Sequence, residues 1–255
     1  MQILLANAKI MFGSSETKPL TEPMFQSVAN RLAAEMAACS VDILAQKLDC
    51  SLNLAAENWR RYQNFFLADK MPAIMAYNGQ AYKHLNAKTL SMEDLMFGQK
   101  HLWITCFLYG LLRPMDSIVP YRMEHCVSLE ATGGKPVNQF WKDKLTDVLI
   151  DSVKADDGIL LHLSTEEYEH LFDWKRVMAE VKVIHPLFYV RQKDGGLKMQ
   201  AVWAKSCRGA MLRFILRNKI LHPEELTSFC YEGFVYDTEL GEDTFPHFVR
   251  EQVRL

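Results

Sequence analysis

Hydrophobic positions in this chain recur with two periods, and the change comes near Ala73. Before it, Phe25, Val28, Leu32 and Met36 stand at helical spacing. Ile43, Leu44 and Leu48 give a second short helix, and Asn53 can cap a third through Trp59, Arg60, Arg61 and Phe65. Asp49–Asn53 is the tight connection between those two. Ahead of these helices, the apolar run Gln2–Ala6 predicts a buried strand. Beyond Ala73 strands and helices mix. Ser91-Met-Glu-Asp94 has the form of a capping box opening a helix to about Lys100. Leu102–Phe107, Met123–Leu129 and Gly158–Leu163 are predicted strands, and Pro136 opens a long amphipathic helix that buries Phe140, Trp141, Leu145, Val148 and Leu149. Val181–Arg191 is expected as one long strand, turned by Lys193-Asp-Gly-Gly196 into Leu197–Trp203. A helix over Lys205–Lys219, another start at Pro223, and short strands around Phe234–Tyr236 and Phe245–Val249 complete the pattern.

This order predicts an α+β fold: a single domain over residues 1–255, a mixed central sheet with surrounding helices, and a helical appendage at about 23–67. Composition agrees. Of 255 residues 49% are hydrophobic and 24% charged, with 12 glycines and 9 prolines, which excludes disordered, collagen-like and disulfide-scaffold chains. A chain this long can bury roughly 75% of its unfolded surface. The longest apolar stretch, Leu102–Leu112, falls short of the about 20 residues a bilayer span needs, so no membrane partner is expected. Ala6-Asn7-Ala8 mimics a signal-peptidase site, but Met1–Leu5 provides no basic start or adequate apolar region. The six cysteines form no C-x-x-C pair and are expected as buried thiols of a cytoplasmic protein. Cys207, beside Arg208, is the one whose surroundings hint at a reactive thiol.

The net charge of −2 hides a sharp segregation. Lys198–Lys219 holds six basic residues and no acidic one, whereas Pro223–Glu251 holds eight acidic residues against Arg250 alone. Arg213 and Arg217, one helical turn apart, repel by a few tenths of a kcal/mol. Either acidic side chains within the fold or an external polyanion must compensate, and the acidic tail is the internal candidate.

There is no G-x-G-x-x-G, P-loop, H-E-x-x-H, G-x-S-x-G or paired-cysteine motif, so no cofactor and no metal is called for. The densest polar run, Tyr109 to Glu124, follows a core strand and carries Arg113, Asp116, Tyr121 and Arg122 between stiffening prolines. Arginine forks there suit phosphate or carboxylate. The alternative is that Arg113–Asp116 and Arg122–Glu124 are ion pairs pinning a loop. A second run, His162-Leu-Ser164-Thr-Glu-Glu167-Tyr168, also ends a strand. Ser164 or Thr165 capping the next helix explains it more simply than a Ser–His nucleophile.

Several segments together resemble the YaaA family of bacterial peroxide-stress proteins: Ala8-Lys9, Ala76-Tyr-Asn-Gly-Gln-Ala-Tyr82, Tyr109-Gly-Leu-Leu-Arg-Pro-Met-Asp116, Pro120-Tyr-Arg-Met-Glu124, Leu163–Tyr168, Lys205–Phe214 and Phe229-Cys-Tyr-Glu-Gly-Phe234. The resemblance spans essentially the whole chain. It implies a protein that limits peroxide and iron damage, with a positively charged cleft, a helix-hairpin-helix element and DNA binding. By position the cleft would collect Lys9, Arg113, Arg122, Lys205, Arg208 and Arg213, with Glu124, Glu167, Tyr168 and Glu232 nearby. The early helices would supply the helix-hairpin-helix with Arg60 and Arg61. Departures from the family pattern, among them Ala6-Asn7, Ser206, Cys207 and a hairpin without glycine, bear on DNA affinity more than on fold. DNA is thus the expected partner. The alternative is an enzyme acting on a small phosphorylated or nucleotide substrate, with Arg113 clamping an anion and Glu124 or Glu167 as base. Direct iron handling ranks last, because no ligand-spaced motif is present.

Overall fold

A computed structural model describes residues 1–251. The chain opens on β1 (Gln2–Ala6) and then forms α1 (Gln26–Ala38), α2 (Val41–Lys47) and α3 (Leu52–Gln63). After β2 (Met71–Pro72) come α4 (Ala73–Ala76), α5 (Gln80–Leu85) and α6 (Met92–His101). β3 (Leu102–Cys106), β4 (Gly110–Leu112) and β5 (Ser117–Ile118) precede the long α7 (Val137–Lys154). β6 (Ile159–Leu163), α8 (Glu166–Glu169), α9 (Trp174–Glu180) and β7 (Lys182–Ile184) follow. The last third holds β8 (Leu187–Arg191), β9 (Leu197–Lys198), α10 (Ala201–Asn218), a 3-10 turn over Pro223–Ser228, then β10 (Cys230–Tyr231), β11 (Phe234–Glu242) and β12 (Phe245–Glu251).

The central sheet runs β4-β3-β1-β6-β7. β1 lies parallel to both β3 and β6, β7 parallel to β6, and β4 alone is antiparallel. Parallel strands covered on both faces read as continuous apolar runs, which is how Ile3-Leu-Leu5, Leu102-Trp-Ile104 and Leu160-Leu161 read. All of them are buried. A second sheet, β10-β11-β12-β8-β9, stands beside it. One contiguous core joins the two, and within it the fully buried Trp141 donates its indole N–H to the Phe107 carbonyl at 2.8 Å. The α+β architecture with a mixed central sheet is therefore as the pattern predicts.

Local signals are met closely. Ser91 Oγ accepts the Asp94 amide (3.1 Å), and the Asp94 carboxylate accepts the Ser91 amide (3.0 Å). The Asp-Gly turn joins β8 to β9, with Gly195 at φ 85°. Four expectations are corrected. Val181–Arg191 is two strands in two sheets, because Pro186 has no N–H to continue a ladder and the chain crosses from one sheet to the other. Met123–Leu129 forms no strand: it is irregular, tied down by the Ser128–Pro136 bridge, by the Val137 amide on the Val127 carbonyl (2.9 Å) and by the buried side chains of Met123, Glu124, Val127 and Leu129. The segment to Trp203 leaves the sheet at Lys198, and α10 starts at Ala201, a turn earlier than expected. Ser51, not Asn53, caps α3 by accepting the Leu54 amide (3.4 Å), a contact of the kind worth about 1 kcal/mol.

The early appendage is three helices whose inner faces, from Leu32 and Met36 to Leu44, Leu48 and Tyr62, belong to the common core. A helix-hairpin-helix is not supported. Such an element offers free hairpin amides to phosphate, whereas here the Asp49 and Cys50 amides bond back to the carbonyls of Gln46 (3.3 Å) and Ala45 (3.0 Å).

Candidate anion-binding site

From β1 the chain goes to β3 and β4 on one side of the sheet, and later to β6 and β7 on the other. The loops leaving the carboxyl ends of β1 and β6 therefore diverge. In an open parallel sheet the crevice opened at such a reversal of strand order is where ligands bind. A cleft of about 320 Å³ occupies that place. Ala6–Ile10 after β1 and Leu163, Thr165, Glu167 and Tyr168 after β6 form two walls, Gly79–Tyr82 a third, and Lys205 and Arg208 of α10 complete it.

Gly209 sets the last wall. A Cβ there would lie 1.9 Å from the Ala81 carbonyl oxygen, so only glycine lets α10 lie this close to α5. The close approach holds Arg208 beside Gly79–Tyr82. Arg208 is largely buried, its Nε has no hydrogen-bond partner among the described residues, and burial pulls its guanidinium below the ordinary arginine value. Glu169, the carboxylate that acts on it through space, is already engaged by His162.

Lys9 enters from the β1 wall and pairs with Glu124 Oε2 at 2.7 Å, while Arg122 holds Glu124 Oε1 at 2.7 Å. Glu124 is 5% exposed, so this chain of charges is nearly dry on the carboxylate side. The Tyr62 hydroxyl donates to the Arg122 carbonyl and fixes the segment against α3. Tyrosines shape the rest. Tyr82 OH donates to the Ala6 carbonyl (3.1 Å) and Tyr168 OH to Asn7 Oδ1. Asn7 Nδ2 donates to Tyr121 OH (3.2 Å), which shares a 2.8 Å bond with Tyr77 OH. Burial pushes all four phenols above the ordinary tyrosine value, so they remain protonated and act as braces.

Behind the β6 loop, His162 Nδ1 accepts the Ser164 amide (3.1 Å), so Nε2 carries the proton donated to Glu169 (2.8 Å). That bond holds the Glu169 carboxyl below its ordinary value. The His185 ring stacks on His162 at 4.6 Å, and burial, followed by the charges of His162 and Arg208, pulls it down to about 4. His162, Glu169 and His185 have the residue types of a metal site, with donor atoms within 4.8 Å of one another. A cation on His162 Nε2 would need the proton on Nδ1, where it would face the Ser164 N–H. The trio reads instead as a brace for the loop. In a second trio, Glu124, His125 and Glu167, Glu124 is already committed to Lys9 and Arg122.

The remaining predicted residues are dispersed. Arg113 lies at the opposite end of the strands, bonded to Gln2 Oε1 (3.1 Å) and the carbonyls of Lys100 and Leu102 (3.2 Å each), with its guanidinium 3.3 Å over Trp103. Asp116 accepts the Arg113 amide and Thr21 Oγ1, both at 2.7 Å, and pins that loop as the structural alternative foresaw, through the amide rather than an ion pair. Tyr109, Tyr121 and Ser164 are buried. Arg213 caps the α5 end through the carbonyls of Leu85 (3.0 Å) and Asn86 (3.2 Å), in a separate groove with Arg217. Glu232 (φ 49°) and Gly233 (φ 81°) make the exposed two-residue turn between β10 and β11. Arg60 is exposed on α3, and Arg61 pairs with Glu57. Cys207 is fully buried with its thiol pushed up to about 12, which overturns the hint of reactivity. The acidic tail does not neutralise α10: Asp237 and Glu251 pair with Arg191 (2.9 and 3.1 Å). Among the described residues no carboxylate lies within ion-pair distance of Lys205, Arg208, Arg213 or Arg217. Reading by residue type passed over Asn7, Gln80 and Tyr82, and only the Ala76–Tyr82 block of the family resemblance pointed to the last two.

The sequence profile described as "Peroxide stress protein YaaA" matches residues 1–240. The chain belongs to the YaaA family. A UPF0246 protein of Bacteroides thetaiotaomicron is 44% identical over 247 residues, covering 95% of this chain and 96% of that one. One from Parabacteroides distasonis is 41% identical over 255 residues (98% and 100%), and one from Legionella pneumophila 34% over 259 (98% and 99%). Membership supports a role in oxidative stress. No helix among the described residues is long and apolar enough to cross a membrane.

Proposed function

We propose that this YaaA-family chain serves the peroxide stress response by capturing a small phosphate-bearing anion in the cleft between the β1 and β6 loops. Arg208 carries the reading. A largely buried guanidinium whose Nε has no hydrogen-bond partner among the described residues is costly, and an anionic ligand would meet its charge. Lys205 lies one turn away on the same wall and Lys9 faces it across the cleft. The test is calorimetric titration of the full chain with inorganic phosphate and a panel of nucleotides, repeated on Arg208→Gln. Saturable binding lost at least tenfold in the variant supports the reading, and equal binding by both chains refutes it.

DNA remains the second reading, favoured by one observation: the cations of α10, from Lys205 to Arg217, have no carboxylate within ion-pair distance among the described residues and run from the cleft into the groove that holds Arg213 and Arg217. A strand laid along them would bind with an affinity that falls steeply with salt, by roughly one power per phosphate contacted. Replacing the exposed Lys205 and Arg217 by glutamine should flatten that slope by about two. An unchanged slope would remove α10 as the surface.

A further inference from the structure

We propose that the ligand of the cleft is a phosphate monoester in its dianionic form, a ligand that ends at its phosphate, and not a diester. The inference rests on the anion reading above and goes on to name the ligand's charge and shape. Three cationic side chains, Lys9, Lys205 and Arg208, line the cleft against one carboxylate, Glu167, a surplus of two positive charges. Glu124 does not cancel this surplus, because its other oxygen is held by Arg122 from outside the cleft at 2.7 Å. A monoester with a second pKa near 6 carries about two negative charges at neutral pH, whereas a diester carries one at every accessible pH. The volume points the same way. At about 320 Å³ the cleft stands at the lower end of small-molecule sites, roughly 300 to 1,000 Å³, so it has room for a ligand's end and little for a chain passing through. Leu5, Ala6, Ala8, Leu163 and the rings of Tyr82 and Tyr168 supply an apolar surface for the group that carries the phosphate.

Two probes of nearly equal size separate the charges: phenyl phosphate, which titrates near pH 6, and methyl phenyl phosphate, which stays a monoanion. Each is titrated into the full chain by calorimetry from pH 5 to 8. The expected result is at least tenfold tighter binding of phenyl phosphate at pH 8, with that advantage shrinking as pH falls through about 6. In Lys205→Gln, an exposed position that should not disturb folding, the advantage should fall at least threefold. If both probes bind equally at every pH, the dianion assignment is overturned while the anion site stands. If neither binds at millimolar concentration and inorganic phosphate also fails, the anion site falls with it.

Discussion

Gly209→Ala tests whether the contact between α5 and α10 builds the cleft. The added Cβ would lie 1.9 Å from the Ala81 carbonyl oxygen, 2.6 Å from its carbon and 2.9 Å from Cα. All three atoms are backbone, so no side chain can swing aside. Ordinary contact begins at 3.4 Å, and the helices must part by about 1.5 Å, the difference between 3.4 and 1.9 Å. Overpacking of this kind costs about 1–3 kcal/mol, and with rigid backbone on the receiving side the upper figure applies. Alanine returns about 1 kcal/mol through its better helix propensity. The net loss is about 2 kcal/mol. In a chain this long that lowers Tm by roughly 4–8 °C. Urea unfolding and calorimetry measure the loss. Gly13→Ala, with nothing within 4 Å of its Cβ and no positive φ, is the control expected to be neutral. Because the parting separates Gly79–Tyr82 from Lys205 and Arg208, phosphate binding should weaken at least tenfold at temperatures where the variant is folded. A variant as stable as the wild type, or one that binds as well, would refute the claim that this approach sets the cleft.

Three further outcomes follow from the same contacts. Glu124→Ala strands Arg122, whose side chain is 16% exposed, and should cost about 3 kcal/mol in urea unfolding; a loss below ~1 kcal/mol would mean that the ion chain is not structural. The Glu169 carboxyl is held below its ordinary 4.5 by His162, so its contribution to stability is full above that value and lost as pH falls through the lower folded one; the gap between wild type and Glu169→Gln should close on acidification, and a widening gap contradicts the assignment. Toward a thiol reagent at pH 8, the exposed Cys126 and Cys230 should react first and Cys207 only on unfolding; rapid modification of Cys207 in a Cys126→Ser, Cys230→Ser chain would contradict its burial.

The sequence by itself determined what depends on neighbours a few residues apart. The apolar runs at Ile3, Leu102 and Leu160 could only be buried strands, Ser91 and Asp94 announced a helix start, Asp194-Gly195 announced a turn, and the basic character of Lys198–Lys219 was visible by counting. The family, too, was legible from short blocks spread along the chain. Tertiary structure alone decided the rest, because it turns on pairings between residues far apart. Ile3 beside Leu102 and Leu161 makes β1 central and puts the reversal of strand order at its end. That pairing sorts arginines that look equivalent in sequence, sending Arg208 to the carboxyl ends of the strands and Arg113 to the other side, where it stacks on Trp103. A strand has two ends and a helix several faces. Which of them meets a partner is set by packing energy summed over the whole core, and no local pattern encodes that sum.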